Sequence, residues 1–275
     1  MVVGGGGYLG GEVARQALAA GHETFGTFSS RSGATPGVHW RPVDIRQRAE
    51  ISVAVAEVRP DVVVNTAYRQ PEWVSTADGA VYVALAALAA RARLVFVSSD
   101  AVFSGAADRY DETAVPDPIS PYGAAKAAAE TAIRALDPYA AIVRTSLIMG
   151  DGRSKHEAFV HDLAAGRRQG VLFTDDVRCP VHIGDLASVL LEVAVAGAGG
   201  AEAGGVYHAA GADAMSRYEL GCLVARRDGL DPAALPTGSR RDSGLRGPDA
   251  VRLDCARTQA RLRTRLRGAR EFLRP

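Results

Sequence analysis

The sequence predicts an α/β fold built on a doubly wound parallel sheet, followed by a smaller C-terminal lobe. Three observations carry that expectation. Short apolar runs rich in Val and Ile alternate with Ala-rich stretches of helical spacing through the first two thirds of the chain. A glycine string separates the first apolar run from the first helix, and the regular rhythm stops after Gly150. Strand alternating with helix means βαβ units, and right-handed crossovers then place helices on both faces of one parallel sheet.

The strands expected are residues 1–3, 23–28, 61–65, 94–98 and 141–144, short and apolar enough to be buried on both faces. The helices between them are 11–20, 47–58, 79–91 and 122–136. Beyond Gly150, segments 157–166, 183–196, 216–226 and 257–266 read as helices, and 170–173 and 205–211 as strands. Residues 1–150 are expected to form the first domain and 151–275 the smaller lobe, with parts of 181–211 returning to the first. The stretch "AVAGAGGAEAGG" (194–205) reads as a flexible loop rather than a linker.

Composition narrows the function. With 23% charged and 47% hydrophobic residues over 275 positions, the chain has an ordinary globular profile. A net charge of +1 favours neither nucleic acid nor a membrane as partner. The Arg-rich tail, 252–274, reads as a solvated helix rather than a nucleic-acid patch, because no aromatics are interleaved. Cys179, Cys222 and Cys255 are widely spaced and read as incidental thiols in a reducing compartment. The N-terminus lacks a basic leader and no apolar run is long enough to span a bilayer, so a cytoplasmic protein is expected.

The string "VVGGGGYLGG" places glycines after a strand and before a helix. Backbone N–H groups there can hold a pyrophosphate, and only glycine lets it come close, which makes the first domain a Rossmann-type NAD(P) site. Gly4, Gly7 and Gly10 fit one register, and Gly5, Gly7 and Gly10 another; Tyr8 and Leu9 lie between. Only three residues precede the first glycine, so either the first strand is truncated or the chain begins a little late. At the end of the second strand, where an NAD site usually offers an acid, the chain has Ser29, Ser30 and Arg31. An arginine fork suits a 2′-phosphate, which favours NADP(H) over NAD(H), unless Arg31 is a plain loop arginine.

Among 32 basic residues only Lys126 and Lys155 are lysines, and Lys126 follows Tyr122 by one helical turn in "SPYGAAKAAAE". A free tyrosine has a pKa near ~10, and a neighbouring cation lowers it toward the range useful for acid–base work. Positions i and i+4 share a helix face, so the two side chains can meet. Ser99, at the carboxyl end of the strand in "RLVFVSSDAVFSG", can hold a substrate carbonyl against Tyr122.

These motifs, with "PVDI", "PDVVVNTAY", "IVRTSLIMG" and "DVRCPVHIGDLA", make the chain resemble an extended short-chain dehydrogenase/reductase of the dTDP-4-dehydrorhamnose reductase-like, sugar-nucleotide-binding family, over nearly its whole length. The resemblance implies that Tyr122 protonates a carbonyl oxygen, that Lys126 holds the ribose and tunes Tyr122, and that Ser99 orients the carbonyl. It places Asp44 and Ile45 at the adenine, Thr66, Ala67 and Tyr68 behind the ribose, and Ser146 and Leu147 beside the nicotinamide. Thr76 stands where many relatives carry Asn, and Ala101 after Ser99–Asp100 removes the acid a dehydratase needs. No metal is expected.

Asp100, Val102 and Arg178 are candidate substrate contacts, Arg178 facing either a phosphate or merely a turn. His156 and His161 read as surface residues, Asp185 as an acid satisfying the first N–H groups of its helix, and Trp40 and Trp73 as core or cleft packing. Helix 122–136 is a candidate homodimer face. The expected function is reduction of a ketone, either a keto-sugar nucleotide or a small biosynthetic ketone. The rivals are an epimerase that retains NAD and a catalytically silent NADP-binding regulatory subunit.

Overall fold

In the computed structural model, which describes residues 1–70, 72–196, 204–245 and 247–275, the chain opens with β1 (Val2–Val3), α1 (Tyr8–Ala19), β2 (Phe25–Phe28) and β3 (His39–Pro42). Then come α2 (Arg48–Val58), β4 (Val62–Asn65), a π-helical turn (Val74–Asp78), α3 (Gly79–Ala89), β5 (Arg93–Ser99), α4 (Pro121–Leu136) and β6 (Ala141–Thr145). The remainder comprises β7 (Ile148–Met149), α5 (Lys155–Ala164), β8 (Leu172–Phe173), β9 (Val177–Arg178), β10 (Val181–His182) and α6 (Ile183–Ala196). It ends with β11 (Gly205–Ala209), β12 (Met215–Ser216), α7 (Arg217–Arg227), β13 (Thr237–Gly238), α8 (Ala256–Gln259) and α9 (Ala269–Phe272).

Seven strands pair in the order β11-β6-β5-β4-β1-β2-β3, all parallel. Successive side chains of a strand point to opposite faces. Val2, Val64, Val95 and Val143 therefore pack with Val13 of α1 and Leu186 and Leu190 of α6 on one face. Val3, Val63, Leu94, Phe96 and Ile142 pack with Ile51 of α2, Val83 of α3 and Ile133 of α4 on the other. Both faces are covered, which is why the central strands are apolar throughout rather than alternating.

The helix α4 matters most for the site. Ser120 caps it by accepting from the Gly123 N–H at 3.1 Å, and Pro121 takes the first turn, where no N–H is needed. Gly123 permits the close approach that follows, since a Cβ there would overlap the Ala101 carbonyl oxygen. The second lobe carries its own apolar cluster, with Val160, Leu163, Leu172, Leu220 and Val224. Its two main helices start with capping boxes, Ser154–Glu157 on α5 and Ser216–Glu219 on α7.

Several boundaries differ from the sequence reading. β3 departs from the expected strands: it is an edge strand without an apolar run, exposed at both ends and half-buried at Trp40 and Arg41. α1 starts at Tyr8 rather than residue 11, so Gly10 lies within the helix. The expected helix over 257–266 is only the single turn of α8, because Glu192 accepts from the Arg263 and Thr264 N–H groups and draws the chain away. Most of the loop expected at 194–205 lies outside the described residues. Among the described residues, no helix is long and apolar enough to cross a membrane.

A buried ion pair ties α4 to the sheet. Arg144 and Glu130, each 1 % exposed, meet at 2.7 Å, and Ser98 Oγ donates to Glu130. Removing one partner of such a pair strands the other charge, so Glu130→Met should cost about 3–5 kcal/mol in urea unfolding. The double variant Glu130→Met, Arg144→Met should lose less than Glu130→Met alone.

Candidate active site

The strands β1, β2, β4, β5 and β6 end on one cavity of about 1020 Å³, closed from the opposite side by the second lobe. Gly4, Gly7, Tyr8, Leu9 and Gly10 line it, as do Ser29, Ser30 and Arg31. Thr66, Ala67, Tyr68, Ser99, Asp100, Tyr122, Lys126, Ser146, Leu147 and Arg178 complete the set of sequence-derived candidates found there. Asp44 and Ile45 line a smaller cavity of about 130 Å³ that shares Gly4, Ser29, Ala67 and Tyr68 with the large one.

The glycine loop takes the Gly4–Gly7–Gly10 register. Gly4 has φ +78°, a conformation side chains disfavour, and a Cβ there would come within 2.8 Å of the Ala67 backbone. Gly10 packs where a Cβ would overlap the Gly4 carbonyl and stand 2.6 Å from Thr66 Oγ1. Gly5 instead faces Gly26 and the Trp40 ring, away from the cavity. No side chain caps α1, so its first N–H groups remain available to an anion in the cavity. The cradle therefore fits a dinucleotide pyrophosphate. Two contacts cross the cleft: Tyr8, after the loop, donates to Asp151 Oδ1 at 2.5 Å, and Lys155 Nζ, 3.4 Å from Gln70 Oε1, reaches the segment after β4.

Tyr122 and Lys126 lie on the face of α4 turned to β5. Tyr122 stands beside Ser99, and its ring lies 5.7 Å from that of Tyr68. Burial, with Tyr68 and Asp100 close by, pushes its pKa well above the ordinary tyrosine value, against the lowering effect of the nearby Ser99 hydroxyl. Lys126 does not supply the expected lowering. The ammonium of Lys126 is turned instead to the Val97 carbonyl, 2.8 Å away, between the rings of Phe96 (4.7 Å) and Tyr68 (5.2 Å). Burial brings the Lys126 pKa down to about 7, partly opposed by Glu130. Ser99 donates to Asp100 Oδ1 at 3.2 Å, and Asp100 Oδ2 accepts from Ser146 Oγ at 2.6 Å.

Other expectations are corrected. Val102 is wholly buried with Phe103, Tyr110 and Val251 and does not reach the cavity. Arg178 reaches it but is not free, donating to the Val177 and Pro248 carbonyls. His156 is no surface residue: it lines the cavity, and burial lowers its pKa to about 3. His161 is half-exposed and meets Asp228 at 2.6 Å. Asp185 sits in the first turn of α6 but binds Arg267, accepting from its backbone N–H and its guanidinium. Trp40 packs against Gly26 and Gly33, whereas Trp73 is 49 % exposed and outside the cavity. Sequence reasoning missed Arg153, Lys155, Arg217 and Arg240 on the cavity wall. In an Arg-rich chain no motif distinguishes the three arginines, and Lys155 stood out only as one of two lysines.

The buried lysine has a signature in stability. Its folded pKa lies below the unfolded value, so between about pH 7 and ~10.4 the unfolded chain binds the extra proton. The cost of burying the charge is full below pH 7 and fades as pH rises. In thermal unfolding without cofactor, Lys126→Met should exceed wild type in stability at pH 7, and the gap should narrow toward pH 10.

The RmlD substrate binding domain model matches residues 1–274. The dTDP-4-dehydrorhamnose reductase of Mycolicibacterium smegmatis is 34% identical over 88% of this chain and 73% of its own length. The methionine adenosyltransferase 2 subunit beta of Xenopus laevis is 30% identical over 74% of this chain, a match spanning 62% of that subunit. The dTDP-4-dehydrorhamnose reductase of Bacillus anthracis, solved in complex with NADP, superposes with a TM-score of 0.82 at 22% identity, covering 99% of this chain and 95% of that one. The chain belongs to the RmlD substrate-binding-domain family, on a fold of the extended short-chain dehydrogenase/reductase type.

Proposed function

We propose that this chain is an NADP(H)-dependent ketoreductase acting on a keto-sugar nucleotide of the dTDP-4-keto-6-deoxysugar type. The observation that carries the reading is the convergence of Ser99, Tyr122 and Lys126 on a cavity that also receives the uncapped start of α1. The similarity to a dTDP-4-dehydrorhamnose reductase supports the substrate class. Residues 1–150, completed by α6 and β11, hold the cofactor, and the second lobe holds the substrate.

The cofactor, when bound, supplies hydride to the carbonyl carbon. Tyr122, kept protonated by burial, gives its proton to the carbonyl oxygen. Ser99 turns its one proton from Asp100 Oδ1 to the same oxygen, while the Ala101 N–H keeps its Oγ in place. Lys126 holds the ribose. Gly4, Gly7 and Gly10 admit the pyrophosphate, with Tyr8 and Leu9 in the same turn. Asp44 and Ile45 flank the adenine, Thr66, Ala67 and Tyr68 back the ribose, and Ser146 and Leu147 border the nicotinamide. Ser29, Ser30 and Arg31 read the 2′-phosphate.

A second reading is favoured by the methionine adenosyltransferase subunit among the relatives: an accessory subunit that binds the dinucleotide without turnover. One assay separates the readings. Incubated with NADPH and a keto-sugar nucleotide, a reductase consumes one cofactor per product. An epimerase turns over without net consumption, and an accessory subunit does neither but copurifies with a stoichiometric partner.

Cofactor choice is tested by fluorescence titration. Wild type should bind NADPH more tightly than NADH. In Arg31→Ala the NADPH affinity should fall by about tenfold or more, as expected for loss of a charge-assisted fork on phosphate. NADH affinity should hold.

A further inference from the structure

The segment that joins β7 to α5 crosses the cleft. Asp151 Oδ1 accepts from the hydroxyl of Tyr8, the first residue of α1, at 2.5 Å. Four residues on, Lys155 Nζ lies 3.4 Å from Gln70 Oε1, in the segment after β4. The strands β1 and β4 are neighbours in the sheet. One short stretch of chain therefore reaches over the carboxyl ends of both, where Gly4, Gly7, Thr66 and Ala67 line the large cavity. Tyr8, Gln70, Arg153 and Lys155 line the same cavity.

The base of this stretch is fixed, and its tip is set for one contact. Glu157, wholly buried, accepts from the Gly152 N–H at 3.0 Å and the Ser154 N–H at 3.1 Å, and it pairs with Arg227 at 2.6 Å. Gly150 and Gly152 flank Asp151 with φ of +119° and +80°, values that side chains disfavour. A Cβ at Gly152 would meet nothing within 4 Å, so the demand there is on the backbone and not on space. Arg153 donates from Nε at 2.8 Å and Nη2 at 2.6 Å to Asp151 Oδ2, and from its N–H to Oδ1 at 3.1 Å. A carboxylate held in this way keeps Oδ1 turned to Tyr8. A hydroxyl on an ionised carboxylate makes a charge-assisted bond, stronger than one between neutral groups.

We propose that residues 151–155 form a clasp over the dinucleotide, and that the Tyr8–Asp151 bond must open for the cofactor to enter or leave. The clasp rests on the reading of this cleft as a dinucleotide site, but not on the reaction carried out there. It divides the work at the start of α1: backbone N–H groups bind the cofactor, and the Tyr8 hydroxyl controls its exchange.

The test is stopped-flow fluorescence of NADPH association and dissociation in wild type, Tyr8→Phe, Asp151→Ala and the double variant. Each single variant should raise both rates on the order of tenfold, because one charge-assisted hydrogen bond is removed from the barrier. Affinity should change by less than either rate. The double variant should be no faster than the singles, since all three lack the same bond. Rates equal to those of wild type overturn the clasp. So does faster dissociation alone with an equal loss of affinity, which would make Tyr8 a simple cofactor contact. If wild type takes up neither NADPH nor NADH, the dinucleotide reading falls, and amide hydrogen exchange over residues 150–155 decides the clasp separately. Exchange there should be faster in Tyr8→Phe than in wild type, and equal exchange overturns the clasp.

Discussion

Lys126 keeps its ammonium group out of water, and the placement of α4 follows from how that charge is accommodated. The group reaches one carbonyl, that of Val97, and two aromatic faces. One turn on, Glu130 takes Ser98 and Arg144. One turn back, Tyr122 enters the cleft. Residues 122, 126 and 130 share one face of the helix, so two polar anchors on β5 and β6 fix the rotation and height at which the third residue meets Ser99. The lack of a side chain at Gly123 lets that face come down.

The cavity owes its position to the parallel sheet, whose carboxyl ends all open on one side. The two ends of the site differ in character. The glycine loop offers backbone dipoles and close approach, whereas the opposite wall offers arginine side chains around Asp176. The tyrosine–lysine–serine group lies among the residues of the same cavity. The Tyr8–Asp151 and Gln70–Lys155 contacts bridge its mouth.

What could be read in advance followed from periodicity and local chemistry. Continuous Val-rich runs marked β4, β5 and β6, because strands covered on both faces have no polar side. Gly4 to Gly10 marked the loop, because those positions tolerate few residue types. Edge strand β3 carries no such pattern. The tail around Arg263 is shaped by a distant carboxylate, Glu192, which spacing cannot reveal. The same holds for Asp185 with Arg267, and for the arginines on Asp176, which assemble only in three dimensions. Lys126 was legible as an unusual residue, but its turn toward Val97 depends on burial by Phe96 and Tyr68.

The measurement that tests the central claim most directly is the rate of NADPH oxidation in a single turnover with a keto-sugar nucleotide, in wild type and Tyr122→Phe. If the buried, protonated Tyr122 is the proton donor, the variant should bind NADPH as wild type does and react at least ~100-fold more slowly. Equal rates in the two proteins would contradict the account and move the proton source away from α4.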